Sequence, residues 1–249
     1  MSFKIILDSC GEQTAEMKAD PRFASAALTL EVAQEQIIDD ETFDQAEFLR
    51  KVAASPECPK SSCPSPEVYR DFFLGDADHL YAVTLSSELS GSYNSAMLGR
   101  TLALEQCPDK QIYVFNSRSA SVGETLIACK IQECEEAGMS FDDTVRTVEQ
   151  YIEGQNTYFV LENLETLRKN GRLSNLKAFV ASALKIKPVM GSTPEGTICQ
   201  LDQARGINRA LVKMVDYITE RVTDSGSKRL GIAHCNCPER AQIVKEAIL

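Results

Sequence analysis

The chain has 249 residues, 43% hydrophobic and 25% charged, which excludes disorder, collagen and coiled coil and leaves one large globular domain or two smaller ones. The formal net charge is −10, from 36 acidic and 26 basic residues, which argues against the basic face that a nucleic-acid partner requires. No stretch approaches the ~18 apolar residues of a membrane helix. The apolar run at Phe3–Leu7 is too short for a signal peptide and meets an acid at once. Nine cysteines without framework spacing, and no Asn-x-Ser/Thr sequon, point to reduced thiols and a cytoplasmic protein.

A first strand runs from Phe3 to Leu7 and ends at Asp8-Ser9, and a second apolar stretch covers Ala26 to Val32. Thr42 to Ala53 has helical spacing, with Phe43, Ala46, Phe48 and Leu49 as the expected buried side. Residues 55–66 are dense in Pro and Ser and read as a loop that launches a helix: Ser65 is the N-cap, Pro66 takes the first helical position, and Glu67 the first turn.

Two clearer units follow. His79–Leu85 is a strand, 86–92 a hydroxyl-rich loop and Tyr93–Gln106 a helix. Gln111–Phe115 is a strand, 116–121 a second hydroxyl-rich loop, and Val122–Ala137 a helix stopped by Gly138. Ser140 with Asp143 opens another helix carrying Val145, Val148 and Ile152, closed by Gly154. Alternation of strand and helix predicts βαβ units and a parallel sheet.

After residue 154 the texture changes. Tyr158–Leu161 reads as a strand, Glu162–Lys169 as a short helix, and 170–174 as a turn. Another helix leads into a strand at Ile186–Met190, with a hairpin turn at Pro194–Thr197. Ile207–Val222 is a long helix with Leu211, Val215, Ile218 and Val222 on one face. A strand at Arg229–Ala233 and a helix from Pro238 complete the pattern. A mixed α+β domain, 155–249, is therefore expected after an α/β domain, 1–154. The helical pattern still running at Leu249, without a stop signal, reads as a truncated end.

In a parallel sheet the strand-to-helix loops gather at one edge, where helix N-termini offer free N–H groups and partial positive charge. Ser61, Ser62, Ser86, Ser87, Ser90, Gly91, Ser92 and the Ser117, Ser119, Ser121 set are thus expected to converge on one anion, with Gly91 allowing close backbone approach. There is no G-x-G-x-x-G and no G-x-x-x-x-G-K-[ST], and only Lys60 and Arg118 lie close by, so a carboxylate or monophosphate fits better than a polyphosphate.

A serine nucleophile finds little support. G-x-S-x-G is absent, and a Ser–His–Asp system would have to draw on His79 or His234, the chain's 2 histidines. The run His234-Cys235-Asn236-Cys237 lacks zinc-site spacing and reads as small buried hydrophobes, so no metal site and no catalytic residue is assigned.

Taken in order, the loops resemble the DegV family of bacterial lipid-binding proteins. Asp8-Ser9 matches the close of the family's T-D-S, and Lys60-Ser61-Ser62-Cys63-Pro64-Ser65-Pro66 resembles its T-S-Q-P-S-P loop. Ser86-Ser87-Glu88-Leu89-Ser90-Gly91-Ser92-Tyr93-Asn94-Ser95-Ala96 is similar to S-S-x-L-S-G-T-Y-Q-S-A, and Asn116-Ser117-Arg118 to D-S-[KR]. The run from Tyr158 to Leu167, then Gly171-Arg172-Leu173-Ser174 and Ile186-Lys187-Pro188, resembles the second-domain signature. Departures are Ser61 for Thr, Cys63 for Gln and Asn116 for Asp.

The resemblance implies a two-domain DegV-like fold: a parallel-sheet α/β/α domain, a mixed α+β domain, and a long-chain fatty acid in the cleft between them. It further implies that the bound carboxylate is offered to a separate fatty acid kinase for acyl-phosphate formation, with transient membrane proximity. The protein would have no catalysis of its own and no cofactor besides the bound lipid. By position, Ser61 and Ser90 hold the carboxylate, Ser62, Gly91 and Ser92 neighbour it, Arg172 lies near the pocket mouth, and His234 matches a late family motif. Leu164, Leu167, Phe179, Val180, Ala183 and Leu184 are candidate walls for the acyl chain. The alternatives are a stand-alone serine hydrolase, a phosphotransferase of dihydroxyacetone-kinase-like fold, and a regulatory module with a degenerate pocket.

Overall fold

The computed structural model describes residues 2–173 and 185–249. The helix expected ahead of Ile186, with Ser174, Phe179, Val180, Ala183 and Leu184, lies outside the described residues. The chain divides into two compact units, Met1–Gln155 and Asn156–Leu249.

The first unit opens with β1 (Phe3–Asp8), α1 (Ala15–Ala19), β2 (Phe23–Ala26), β3 (Thr29–Val32), β4 (Glu35–Ile38), α2 (Gln45–Ala54) and β5 (Lys60–Ser62). It continues with α3 (Pro66–Phe73), β6 (His79–Thr84), α4 (Ser92–Gln106), β7 (Gln111–Asn116), α5 (Val122–Glu136) and α6 (Phe141–Glu153). A four-stranded parallel sheet has the order β2-β1-β6-β7. Its central strand β6, HLYAVT, is buried at every position, as a strand covered on both faces should be.

Alternate side chains along the sheet build two cores. Ile5, Leu7, Tyr81, Val83 and Phe115 face α5 and α6 through Ile127, Ile131, Val148 and Ile152. Ile6, Leu80, Ala82, Ile112 and Val114 face α3 and α4 through Tyr69, Phe73, Ala96 and Ala103. This strict period-two division makes the α/β/α layering. At Gly99 of α4, a Cβ would stand 2.6 Å from the Pro66 carbonyl oxygen and 2.7 Å from Tyr69 Cβ, so glycine is what lets α3 and α4 approach.

Three expectations for this unit are corrected. The apolar stretch Ala26–Val32 is not one element but the end of β2 and the whole of β3, which lie in different sheets. The Pro/Ser-rich segment 55–66 is not all loop, because β5 pairs antiparallel with β3, Leu30 opposite Ser61, in a second sheet ordered β4-β3-β5. Helix α2 buries none of its residues and Leu49 is exposed; the side chain of Asp44 caps it by accepting the Glu47 N–H at 2.9 Å.

The second unit holds β8 (Tyr158–Phe159), α7 (Glu165–Lys169), β9 (Ile186–Ser192), β10 (Ile198–Arg205), α8 (Ile207–Arg221) and α9 (Pro238–Ile248). Its antiparallel sheet has the order β10-β9-β8, with the expected hairpin between β9 and β10. Ala210 and Met214 of α8 are the most buried of that helix, and Leu211, Val215 and Ile218 pack beside them, while Val222 falls at the C-cap. The strand expected at Arg229–Ala233 does not form. No strand among the described residues pairs with it, and its Ile232 packs against the core of this unit without a ladder. Among the described residues, no helix is long and apolar enough to cross a membrane.

Candidate functional site

The loops after β1, β6 and β7 meet at the carboxyl edge of the parallel sheet. Ser86 N–H donates to the Ser119 carbonyl at 2.9 Å, Ser87 N–H donates to Asn116 Oδ1 at 3.1 Å, and Asn116 Nδ2 donates back to Ser87 Oγ at 2.8 Å. The segment after β5 joins the same edge. Ser95 Oγ donates to the Pro64 carbonyl, and a Cβ on Gly91 would come 3.2 Å from Cys63 Sγ.

Convergence does not make every hydroxyl an anion donor. Ser117 and Ser119 are buried and bond each other: Ser117 Oγ donates to the Ser119 carbonyl and Ser119 N–H donates to Ser117 Oγ, both at 3.1 Å. Ser86 is buried and accepts the Glu88 N–H, and Ser87 is held by Asn116. These four serines brace their own loops or, at Ser87 and through the Ser86 N–H, tie one loop to the next, which corrects the expectation that all of them face one ligand. Ser61 and Ser62 are exposed on β5, and Ser90 is half-buried beside exposed Gly91.

Ser92 N–H donates to Ser90 Oγ at 3.2 Å, and the two hydroxyls lie 3.1 Å apart. Helix α4 starts at Ser92 with no acid in its own first turn, and the Asp8 carboxyl lies near Ser92. Ser61, Ser62 and Gly91 are thus exposed and Ser90 half-buried, whereas Ser86, Ser117 and Ser119 are buried.

Beneath them lies a group that sequence reasoning passed over. Oxygens of Asp8 and Glu124 and the Cys10 sulfur all lie within 4.8 Å of one another. Both acids are fully buried. Asp8 accepts the Leu85 N–H at 2.9 Å and the Cys10 N–H at 3.2 Å, while neither Glu124 oxygen has a donor at hydrogen-bond distance. Burial pushes both carboxyls up, Glu124 well above the ordinary range, and Asp8 is the strongest charge acting on Glu124. In sequence Glu124 is merely an acid in the first turn of a helix, and nothing marks it as facing inward.

Arg172 and His234 belong to the second unit. Arg172 is half-buried and its Nη1 donates to the Asn170 carbonyl at 2.9 Å. His234 is exposed, as is Cys235, and Cys237 is only half-buried, so the reading of that run as small buried hydrophobes is corrected. Cys237 N–H donates to His234 Nδ1, which ties the segment into a turn.

His79 opens β6, at the far end of the strand from the Ser86–Ser92 loop. It is buried against Glu135 Oε1 at 2.7 Å, and Tyr81 OH donates to the same oxygen. It supplies no base to Ser90. The second unit carries a cavity of about 410 Å³ lined by Asn156, Thr157, Tyr158, Ser192, Leu201, Tyr217 and Arg221, of which Tyr158 is also the start of the second-domain signature in the sequence.

Comparison with known proteins finds relatives of the whole chain. A family model described as "Uncharacterised protein, DegV family" matches residues 2–249. A DegV domain-containing protein of Streptococcus pneumoniae is 34% identical over 250 residues, covering 100% of this chain and 88% of the relative. A DegV family crystal structure from Ruminococcus gnavus, described with vaccenic acid, is 58% identical with a TM-score of 0.96, covering 100% of this chain and 88% of that one. The Fatty Acid Kinase (Fak) B3 protein of Streptococcus pneumoniae, loaded with linoleic acid, is 32% identical with a TM-score of 0.86 and the same coverage.

Proposed function

The chain belongs to the DegV family, and from that premise we propose that it binds a long-chain fatty acid by its carboxylate and presents that carboxylate to a separate kinase. The observation that carries the reading is the 58% identity, over this whole chain, to a DegV structure that holds vaccenic acid. The linoleate-loaded kinase B3 component supports both the ligand class and the partner. The protein itself is a carrier without catalysis of its own and needs no cofactor besides its lipid.

The chemistry of the loops agrees. A carboxylate removed from water needs several donors. Ser90, a hydroxyl from the Ser61-Ser62 pair, whose side chains leave β5 on opposite faces, and the α4 N–H groups supply donors for one negative charge without a Lys or Arg. An acyl chain gains roughly 0.8 kcal/mol per buried CH₂, so the tail supplies most of the affinity and the head sets the orientation. Arg172 and His234 are assigned to the same ligand or to the surface that meets the kinase.

Native mass spectrometry of protein purified from a bacterial host tests the reading. The expected adduct has the mass of a C16–C18 fatty acid, released on denaturation, and oleate is bound by the delipidated protein in calorimetry. Repeated recovery of lipid-free protein that takes up no oleate refutes the proposal.

A further inference from the structure

The turn after β1 brings two carboxyls and a thiol together. Asp8 ends the strand, and its Oδ1 accepts the Cys10 N–H at 3.2 Å while its carbonyl accepts the Gly11 N–H at 3.0 Å. This tight turn folds Cys10 back beside Asp8. Glu124, in the first turn of α5, comes in from the other side. It can do so because Gly11 has no side chain: a Cβ there would stand 3.3 Å from Glu124 Cβ and 2.8 Å from Leu7 Cδ2. The turn is also fastened to α5, since Thr125 Oγ1 donates to the Glu12 carbonyl at 2.8 Å.

Three donor atoms, one oxygen from each acid and the Cys10 sulfur, thereby share one small volume. Among the described residues no other group of three such side chains comes within 4.8 Å. Both acids are fully buried, and among the described residues no Lys, Arg or His lies at ion-pair distance from either. Asp8 has backbone donors on both oxygens, Leu85 N–H at 2.9 Å and Cys10 N–H at 3.2 Å. Glu124 has none: its two oxygens are out of water and neither has a hydrogen-bond partner. Buried carboxylates are paired, hydrogen-bonded or metal-bound, because an uncompensated charge in low dielectric is costly. The unpartnered Glu124 carboxyl, rather than the mere nearness of two acids, calls for a ligand.

We propose that Asp8, Cys10 and Glu124 bind one divalent transition cation of the zinc type. The donor set selects it. Mg²⁺ and Ca²⁺ take oxygen and leave sulfur unused, whereas two carboxylates and a thiolate suit borderline zinc. With metal–ligand lengths of about 2.0–2.3 Å, the donor atoms of a tetrahedron stand about 3.5 Å apart, so side-chain movements of about 1 Å close the group on an ion. Three protein ligands leave a fourth position, which a water fills. Three anionic ligands around a dication leave one negative charge, set against the two N–H groups on Asp8 and the positive end of α5. Cys10 is only half-buried, which gives the ion a way in. In the metal-free protein, protons take the cation's place on the carboxyls. The ion fastens the turn after β1 to α5; it is part of the fold rather than a reactant, and the inference does not depend on the fatty-acid reading.

The test strips the native full chain with a chelator and titrates it with Zn²⁺ in calorimetry and with Co²⁺ by absorption. C10S, E124Q and C235S/C237S are treated alike, the last because its thiols flank the other run of His and Cys. The native protein is expected to take up one equivalent of zinc and, with cobalt, to show a thiolate-to-metal charge-transfer band. C10S abolishes that band, and E124Q weakens zinc binding about a hundredfold or more, since losing even the partner of a ligand costs about 10–100-fold. C235S/C237S keeps both the band and the affinity.

A native protein that takes up no zinc overturns the proposal. So does undiminished binding by E124Q, a cobalt band that survives in C10S, or a band lost in C235S/C237S. Should C10S or E124Q fail to fold by circular dichroism, the native protein and C235S/C237S decide alone: a thiolate band present in both supports the site, and its absence from either refutes it.

Discussion

Gly99→Ala probes the contact that seats the ligand loops. The added methyl would lie 2.6 Å from the Pro66 oxygen, 2.7 Å from Tyr69 Cβ and 3.0 Å from the Arg70 nitrogen. All three are fixed parts of α3 rather than the ends of flexible side chains. Relief to an ordinary separation of about 3.5 Å requires α3 to retreat by about 1 Å. Overpacking costs about 1–3 kcal/mol, and a clash with three rigid atoms belongs at the top of that range. Alanine returns about 1 kcal/mol through helix propensity, leaving a net loss of about 2 kcal/mol. Urea unfolding followed by circular dichroism measures this. Pro66 follows closely on Cys63, which abuts Gly91, so the same retreat disturbs the edge where Ser61 and Ser90 lie, and oleate affinity should fall with stability. Leu98→Ala, on the exposed side of the same helix, serves as the control and should move stability by less than about 0.5 kcal/mol. A Gly99→Ala protein as stable as the native one would show that α3 and α4 have slack between them and would refute the packing argument.

Other expectations follow from the same geometry. Ser90→Ala removes the hydroxyl proposed to meet the ligand carboxylate and should weaken oleate binding by about 1.5–3 kcal/mol, more than tenfold, in calorimetry; unchanged affinity removes Ser90 from the site. Glu135→Leu strands buried His79 and the Tyr81 hydroxyl and should lower stability by about 3 kcal/mol in urea unfolding, with a loss below about 1 kcal/mol showing that water replaces the acid. Burial raises the Glu124 carboxyl above its unfolded value, so the unfolded chain releases that proton first and native stability drains as pH climbs from the unfolded value through the folded one. Glu124→Gln cannot titrate, so its melting temperature should gain on the native protein from pH 5 to pH 8; a gap that does not widen means Glu124 is not buried as a neutral acid.

The parts of the fold legible in the sequence are those where burial leaves a pattern. Strands β1 and β6 have apolar centres because both faces are covered, and the later helices α5 and α6 carry ordinary stop and start signals at Gly138 and Ser140. The antiparallel sheet of β3, β4 and β5 left none. Its hairpin turns on Ala33 and Gln34, both at positive φ, where a turn of this length ordinarily announces itself with Asn or Gly. Strand β5 is three exposed residues between prolines, held only by β3. That sheet matters for the site, since it turns Ser61 and Ser62 from loop residues into neighbours on a strand edge with fixed register opposite Leu30 and Thr29.

The hydroxyls show the same limit more sharply. An open serine and a buried one are the same letter, and only coordinates separate half-buried Ser90 from buried Ser117. Composition finds the edge of the sheet where hydroxyls and glycine replace apolar residues. Burial then divides that edge into serines open to a ligand and serines spent inside the protein. The same limit explains why a buried acid pair went unseen: Asp8 ends a strand and Glu124 begins a helix, each an ordinary place for an acid, and 116 positions of sequence separate two carboxyls whose oxygens lie within 4.8 Å in space.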